Sequence, residues 1–250
     1  MLKLNKYTVD ELEELYDDLN FMVEHRIPEI FDKSATSDDR KSATFWVTNQ
    51  YIDIAYTHYV LENFDQVKPY LEKAAPYAFL RGFDPDLKTH NNDWTIQQEL
   101  NIVILFAEPD VIEKLSNSDW SLPKNNIINQ ACYLYDRLLM QIGTGQTPVQ
   151  SDIDAALFEA KTTKNKDVLQ YILPLTEAIS ALTSDNKALW QASIDKAIKW
   201  HSDECKFGDY KDMLEGFICL NALTMAKLGK DMLGWQCQTD SLYLPLFLID

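Results

Sequence analysis

From Thr8 onward the apolar residues return every three or four positions. Val9, Leu12, Leu15, Tyr16, Leu19, Met22 and Val23 fall on one face of a helix, with Glu11, Glu13, Glu14, Asp17 and Asp18 opposite. Thr8 with Glu11 three residues later forms a capping box, which supplies acceptors for the first unpaired amides. After a polar stretch from Ser34 to Asp39 a second helix is predicted, with Phe45, Ile52, Ala55, Tyr56, Tyr59 and Val60 inward. Asp38 and Asp39 sit where that helix should begin and complement its dipole. A third helix carries Leu71, Ala74, Ala75, Ala78 and Phe79; Pro69 fits its start, whereas Pro76 is expected to kink or end it.

Loop residues Pro85, Asn91, Asn92 and Asp93 separate these elements from helices predicted at about 94–106, 109–117 and 124–142. The last of these places Ile127, Ile128, Ala131, Cys132, Leu134, Tyr135, Leu138 and Ile142 inward. Gly143-Thr-Gly-Gln-Thr-Pro148 is the clearest break, and Ser151 is a candidate N-cap beyond it. We therefore expect one helical domain over 1–250, with a possible subdivision into halves at 1–143 and 150–250. In the second half Val168, Ile172, Leu175, Ile179 and Leu182 form one stripe, interrupted by Pro174. Trp190, Ile194, Ala197, Ile198, His201 and Cys205 form the next. From Leu214 to Leu228 the pattern is apolar nearly all round, so a helix there belongs at the centre of the protein. The predicted class is all-α, stacked antiparallel helical hairpins, with a minor short strand conceivable only at Leu233–Gln236. The hairpin theme resembles helical-repeat arrays, although no 34-residue period recurs.

Composition narrows the function. The 250 residues include only 7 glycines, against about 17 for an average chain, so phosphate-cradling loops are scarce. The net charge of −16 excludes direct nucleic-acid binding and attraction to an anionic membrane as expectations. It suits a basic protein partner or serves solubility alone. Cys132, Cys205, Cys219 and Cys237 have no Cys-x-x-Cys or disulfide-framework spacing, which suits reduced thiols in a reducing compartment. The most apolar run, Leu242 to Ile249, is too short to span a bilayer, and the N-terminus has no hydrophobic signal core. A cytoplasmic location is expected.

Candidate chemistry is sparse. His201 and Cys205 are four apart and could face one metal ion, but they complete an apolar stripe and read as core. Gly143-Thr144-Gly145 lacks a third glycine and a preceding strand. His25, His58 and His90 have no partners at useful spacing, and neither a nucleophile elbow, a zinc helix nor a Walker loop is present. We expect no enzyme, no cofactor and no metal. Three clusters mix acid with aromatics in the manner of protein-binding faces. They are Glu11, Glu14, Asp17 and Asp18; Trp120 in the loop from Asn117 to Pro123; and Asp203, Glu204, Asp209, Tyr210, Asp212 and Glu215, which is the chosen partner-binding candidate.

From about Ala178 onward the chain resembles the immunity protein 49 family of bacterial polymorphic toxin systems. The likeness lies in the hairpin Ile179 to Trp190 leading to Ala197-Ile-Lys-Trp-His201, in Gly216 to Gly229, and in the tail Asp240-Ser-Leu-Tyr-Leu-Pro245. The resemblance implies an antitoxin that binds a cognate protein toxin and occludes its active domain. Charge alone suggests a basic nuclease as that toxin. The alternative readings are a helical-repeat adaptor that binds peptides or proteins, and a small helical enzyme whose site is assembled from distant residues.

Overall fold

A computed structural model describes residues 1–3, 7–89, 96–118 and 120–250. Among these residues there are ten α-helices and no strand. His90, the expected loop at 91–93 and the expected helix start at 94 lie outside them. Helices α1 (Val9–Phe31), α2 (Ser37–Val60), α3 (Phe64–Phe83) and α4 (Gln97–Phe106) pack each on the next. Helix α5 (Pro109–Ser116) follows and closes against α3, α4 and α6 (Gln130–Gly143). Next come α7 (Gln150–Thr162), α8 (Leu173–Thr183) and α9 (Lys187–Phe207). Finally α10 (Leu220–Leu233) packs on α4 from the first half and on α8 and α9 from the second.

The local signals explain most boundaries. The Thr8–Glu11 capping box forms, and Thr36 caps α2 by accepting from the Asp39 amide. Helix α3 continues through Pro69 and Pro76, so Pro76 does not end it. Burial of Leu71, Ala74, Ala75 and Ala78 outweighs the one backbone bond that Pro76 forfeits. Pro174 is accommodated differently: the turn before it, Val168–Ile172, widens to π geometry, and the Leu173 amide reaches back to the Val168 carbonyl. The wide turn takes up the missing proline donor and keeps Val168, Ile172 and Leu175 buried.

Four further expectations are corrected. Helix α6 begins at Gln130, because the Asn129 side chain caps the Ala131 and Cys132 amides; Ile128 lies outside the helix and is 71% exposed. Helix α7 starts two residues earlier than Ser151 suggested, with Val149 as its cap residue straight after Pro148. The run from Leu214 is not one helix. Leu214–Phe217 is a 3-10 turn, Ile218 and Cys219 are extended or near it, and α10 begins at Leu220. The cause is tertiary, since the Cys219 amide donates to the Tyr243 carbonyl at 2.8 Å, which holds the backbone off helical geometry. The possible strand at 233–236 is a helix end instead. Gly234 takes φ 67°, and the Gly234 and Trp235 amides return to the Lys230 and Gly229 carbonyls.

Helix α10 is central, as its apolar pattern required. Trp190 of α9 lies across Gly229 and donates from Nε1 to the Met225 carbonyl at 3.0 Å; a Cβ on Gly229 would fall 2.4 Å from the indole. One side-chain amide is sunk in this helix. Asn221 Oδ1 accepts from Asn101 Nδ2 (2.7 Å) and Tyr135 Oη (2.9 Å), and its Nδ2 donates to Tyr171 Oη (3.0 Å) and Gln97 Oε1 (3.3 Å). All four hydrogen-bonding positions of the amide are used. The tail beyond α10 reaches the first hairpins: Tyr59 Oη donates to the Leu242 carbonyl at 2.5 Å, and Phe247 packs on Phe64 with ring centroids 5.3 Å apart.

Replacing Asn221 by Leu orphans hydroxyls and amides from three helical segments at once. We expect Asn221→Leu to lose about 3 kcal/mol of stability in urea denaturation. Asn101→Ala, which removes one partner of several, should lose about 1 kcal/mol.

Candidate partner-binding face

The chosen cluster runs from the last turns of α9 through the link 208–219. Asp203 pairs with Lys199 one helical turn earlier at 2.6 Å. Glu204 folds back to accept from the Asp209 amide at 3.0 Å, and its carboxylate occupies the space a Cβ on Gly208 would need. Asp212 takes a left-handed φ of 65°, and its carbonyl accepts from Tyr7 Oη at 3.0 Å. Glu215 is exposed on the 3-10 turn. Tyr210 is half-buried, with Trp200 at 6.2 Å and His201 at 5.2 Å between ring centroids, and burial raises its hydroxyl well above the ordinary value. Asp203, Glu204, Asp209, Asp212 and Glu215 thus follow one another along the end of α9 and the link as an acidic edge, and the Tyr210 ring packs on Trp200 and His201 of α9.

Beneath this edge the link is anchored by one carbonyl. His201 Nε2 donates to Gly216 O at 2.9 Å, and Cys205 Sγ donates to the same atom at 3.1 Å. Gly216 is required by crowding, since a Cβ would stand 2.9 Å from Cys205 Sγ. Burial lowers His201 to about 4 despite the opposing Gly216 bond, so the ring is neutral with its proton on Nε2. Burial also pushes Cys205 up to about 12 and Cys219 to about 11, which keeps both as unreactive thiols. Across from Glu215, burial and then the Glu215 charge raise Asp53 of α2 to about 7. Among the described residues no group of three or more His, Cys, Asp or Glu side chains is placed to hold a metal ion. Nor is any helix of these residues long and apolar enough to cross a membrane.

The other two clusters part company. Glu11, Glu14, Asp17 and Asp18 are exposed along α1. Trp120 is a core ring, 5% exposed, set between Phe83 and Tyr133, and its carbonyl accepts from Arg137. Two surface features escaped the sequence reading. Phe207 is 84% exposed beside the acidic edge, and its position off the stripe of Trp190, Ile194, Ala197, His201 and Cys205 was a usable signal. The second is a groove of about 360 Å³ between the π turn, α8 and α9, floored by Leu169, Leu173, Pro174 and Trp200. Its rim holds Glu177 with Lys196 and Asp203 with Lys199. No local pattern announced it, because it depends on the widened turn.

The sequence model of Immunity protein 49 matches residues 113–248, over half of the chain. The chain belongs to the Immunity protein 49 family. The match takes in α6 to α10, the groove, the acidic edge and most of the tail, and extends well upstream of the resemblance seen from Ala178. No curated protein and no solved structure matches the chain. Family membership points to an immunity role; it assigns no residue of the face.

The two shifted buried groups give this Imm49 protein a testable pH profile. Asp53 binds its proton more tightly in the folded state than its ordinary 3.8, so its contribution is full below pH 3.8 and is lost as pH rises through about 7. His201 has the opposite sign: its contribution is full above 6.5 and is lost as pH falls through about 4. Between pH 4 and 7 the two oppose each other. Asp53→Asn should therefore expose a steady fall in stability below pH 6.5 and be more stable than the parent at pH 8 by roughly 2 kcal/mol. Parallel urea-denaturation profiles for parent and variant would rule this out.

Proposed function

We propose that this Imm49 protein binds a cognate polymorphic toxin and keeps it inactive by covering the toxin's active domain. Its family membership carries the reading. The physical features support a binding role that needs no chemistry of its own. Cys205 and Cys219 are held protonated by burial, and His201 is neutral. The net charge of −16 favours capture of a basic partner. A nuclease domain is the natural candidate, because the cationic surface that grips a phosphate backbone is the surface an acidic edge can occupy. Asp203, Glu204, Asp209, Asp212 and Glu215 supply the steering charge in this reading, and Phe207 supplies an exposed ring beside them.

The test begins with genes adjacent to the one encoding this chain. A neighbouring toxin whose lethality is relieved only when this chain is co-expressed supports the reading. Absence of both rescue and complex formation with every adjacent toxin sinks it. If the acidic edge steers the encounter, Asp203→Asn, Asp209→Asn, Asp212→Asn and Glu215→Gln combined should slow association about tenfold at about 0.05 M salt and flatten its salt dependence. An unchanged association rate in stopped-flow measurements counts against that edge.

A further inference from the structure

We infer that the groove between the π turn, α8 and α9 receives one neutral aromatic side chain from a basic protein partner. The inference deepens the immunity reading and rests on it. The floor is apolar, formed by Leu169, Leu173, Pro174 and Trp200, and about 360 Å³ accommodates a ring with room for its flanking backbone. Trp200 is a fixed platform: Tyr171 stacks on it with centroids 4.1 Å apart, and its Nε1 donates to Asp167 Oδ1 at 3.4 Å. The π turn is what shapes the floor, since it sets Leu169 and Leu173 beside the exposed Gln170 edge.

The charges on the rim decide the chemistry of the occupant. Glu177 already faces Lys196 at 3.5 Å, and Asp203 already holds Lys199 at 2.6 Å. A cation entering the groove would displace an existing partner from each carboxylate, whereas a neutral ring leaves both pairs intact. The two lysines are well exposed, and their carbon stems can close over a ring from both sides. An apolar centre inside a polar, charge-balanced rim is the arrangement that desolvates an anchor residue. Asp203 lines the groove and is also the first of the acidic residues that follow along the chain through Glu204 and Asp209. A partner segment with an aromatic residue flanked by Lys or Arg therefore fits both features together, ring in the groove and cations on the edge.

The groove is testable without knowing the toxin. The probe is acetyl-Lys-Phe-Lys-amide titrated into the full-length ¹⁵N-labelled protein. The readout is the Trp200 indole Nε1–H resonance, assigned by its loss in Trp200→Phe. We expect a saturable shift with a millimolar Kd, at least about tenfold weaker binding of acetyl-Lys-Ala-Lys-amide and of acetyl-Glu-Phe-Glu-amide, and no shift in Gln170→Trp, whose new ring fills the groove. Equal responses to the Phe and Ala peptides overturn the inference.

The second arm uses any toxin that the parent chain neutralises. Gln170→Trp and Leu169→Asp, checked for unaltered circular dichroism and melting, should each bind it at least about tenfold more weakly. Equal affinity overturns the groove while leaving the immunity reading intact. If no toxin is neutralised, the immunity reading fails and the peptide titration alone decides the groove. Should Gln170→Trp misfold, Leu169→Asp in the groove's lining carries the same test. A parent dimer in sedimentation that Gln170→Trp disperses would identify a second copy as the occupant and overturn the inference.

Discussion

The arrangement of this protein hangs on a single buried amide. Asn221 sits in the helix that joins α4 of the first half to α8 and α9 of the second, and it is satisfied by groups from α4, α6 and the π turn. A purely apolar α10 would pack in several rotations with similar energy. One amide with four partners accepts a single rotation, because any slip leaves polar atoms dry and unpaired. Gly229 fixes the same helix along its length, since only the absence of a Cβ admits Trp190. The helix at the centre is thus held by one polar lock and one steric slot, and the hairpins on either side take their positions from it.

Much of this was legible in the sequence, and the failures have a common cause. The stripes of α2, α8 and α9, that of α1 apart from the exposed Val9, the Thr8 capping box and the Asp38–Asp39 helix start were read from local periodicity and capping, and the structure followed them. The break at Ile218 and Cys219 was invisible because its cause, the Tyr243 carbonyl, is far along the chain. Pro76 misled for a related reason: the local penalty was real, but burial of Leu71, Ala74, Ala75 and Ala78 around it was larger. Trp120 looked like a surface ring because its loop is polar; its neighbours Phe83 and Tyr133 come from other elements.

The face shows a similar division. The acids at 203–215 are visible as a cluster in the sequence, and Phe207 could have been found as the ring that leaves the α9 stripe. The groove could not, since it arises from an i to i+5 bond that no pattern of residue types specifies. The residues that carry the family likeness lie largely inside: the α10 core, Trp190 and Leu244 are buried. Those proposed to meet a partner lie on the opposite side of α9, where the helix turns its Lys199–Asp203 pair and Phe207 outward. In that proposal the fold and the partner are recognised through different faces of the same elements.

The tail that reaches back to the first hairpins has a kinetic consequence. Tyr59 and Leu242 are 183 positions apart, and Tyr7 and Asp212 are 205 apart. Helical proteins fold quickly when their contacts are local, and each hairpin here can form on that basis. Joining the ends demands closure of a loop spanning most of the chain before these bonds return anything. These end-to-end contacts therefore carry a larger loop-closure cost than the hairpin contacts, and the fold is closed by its most distant bonds.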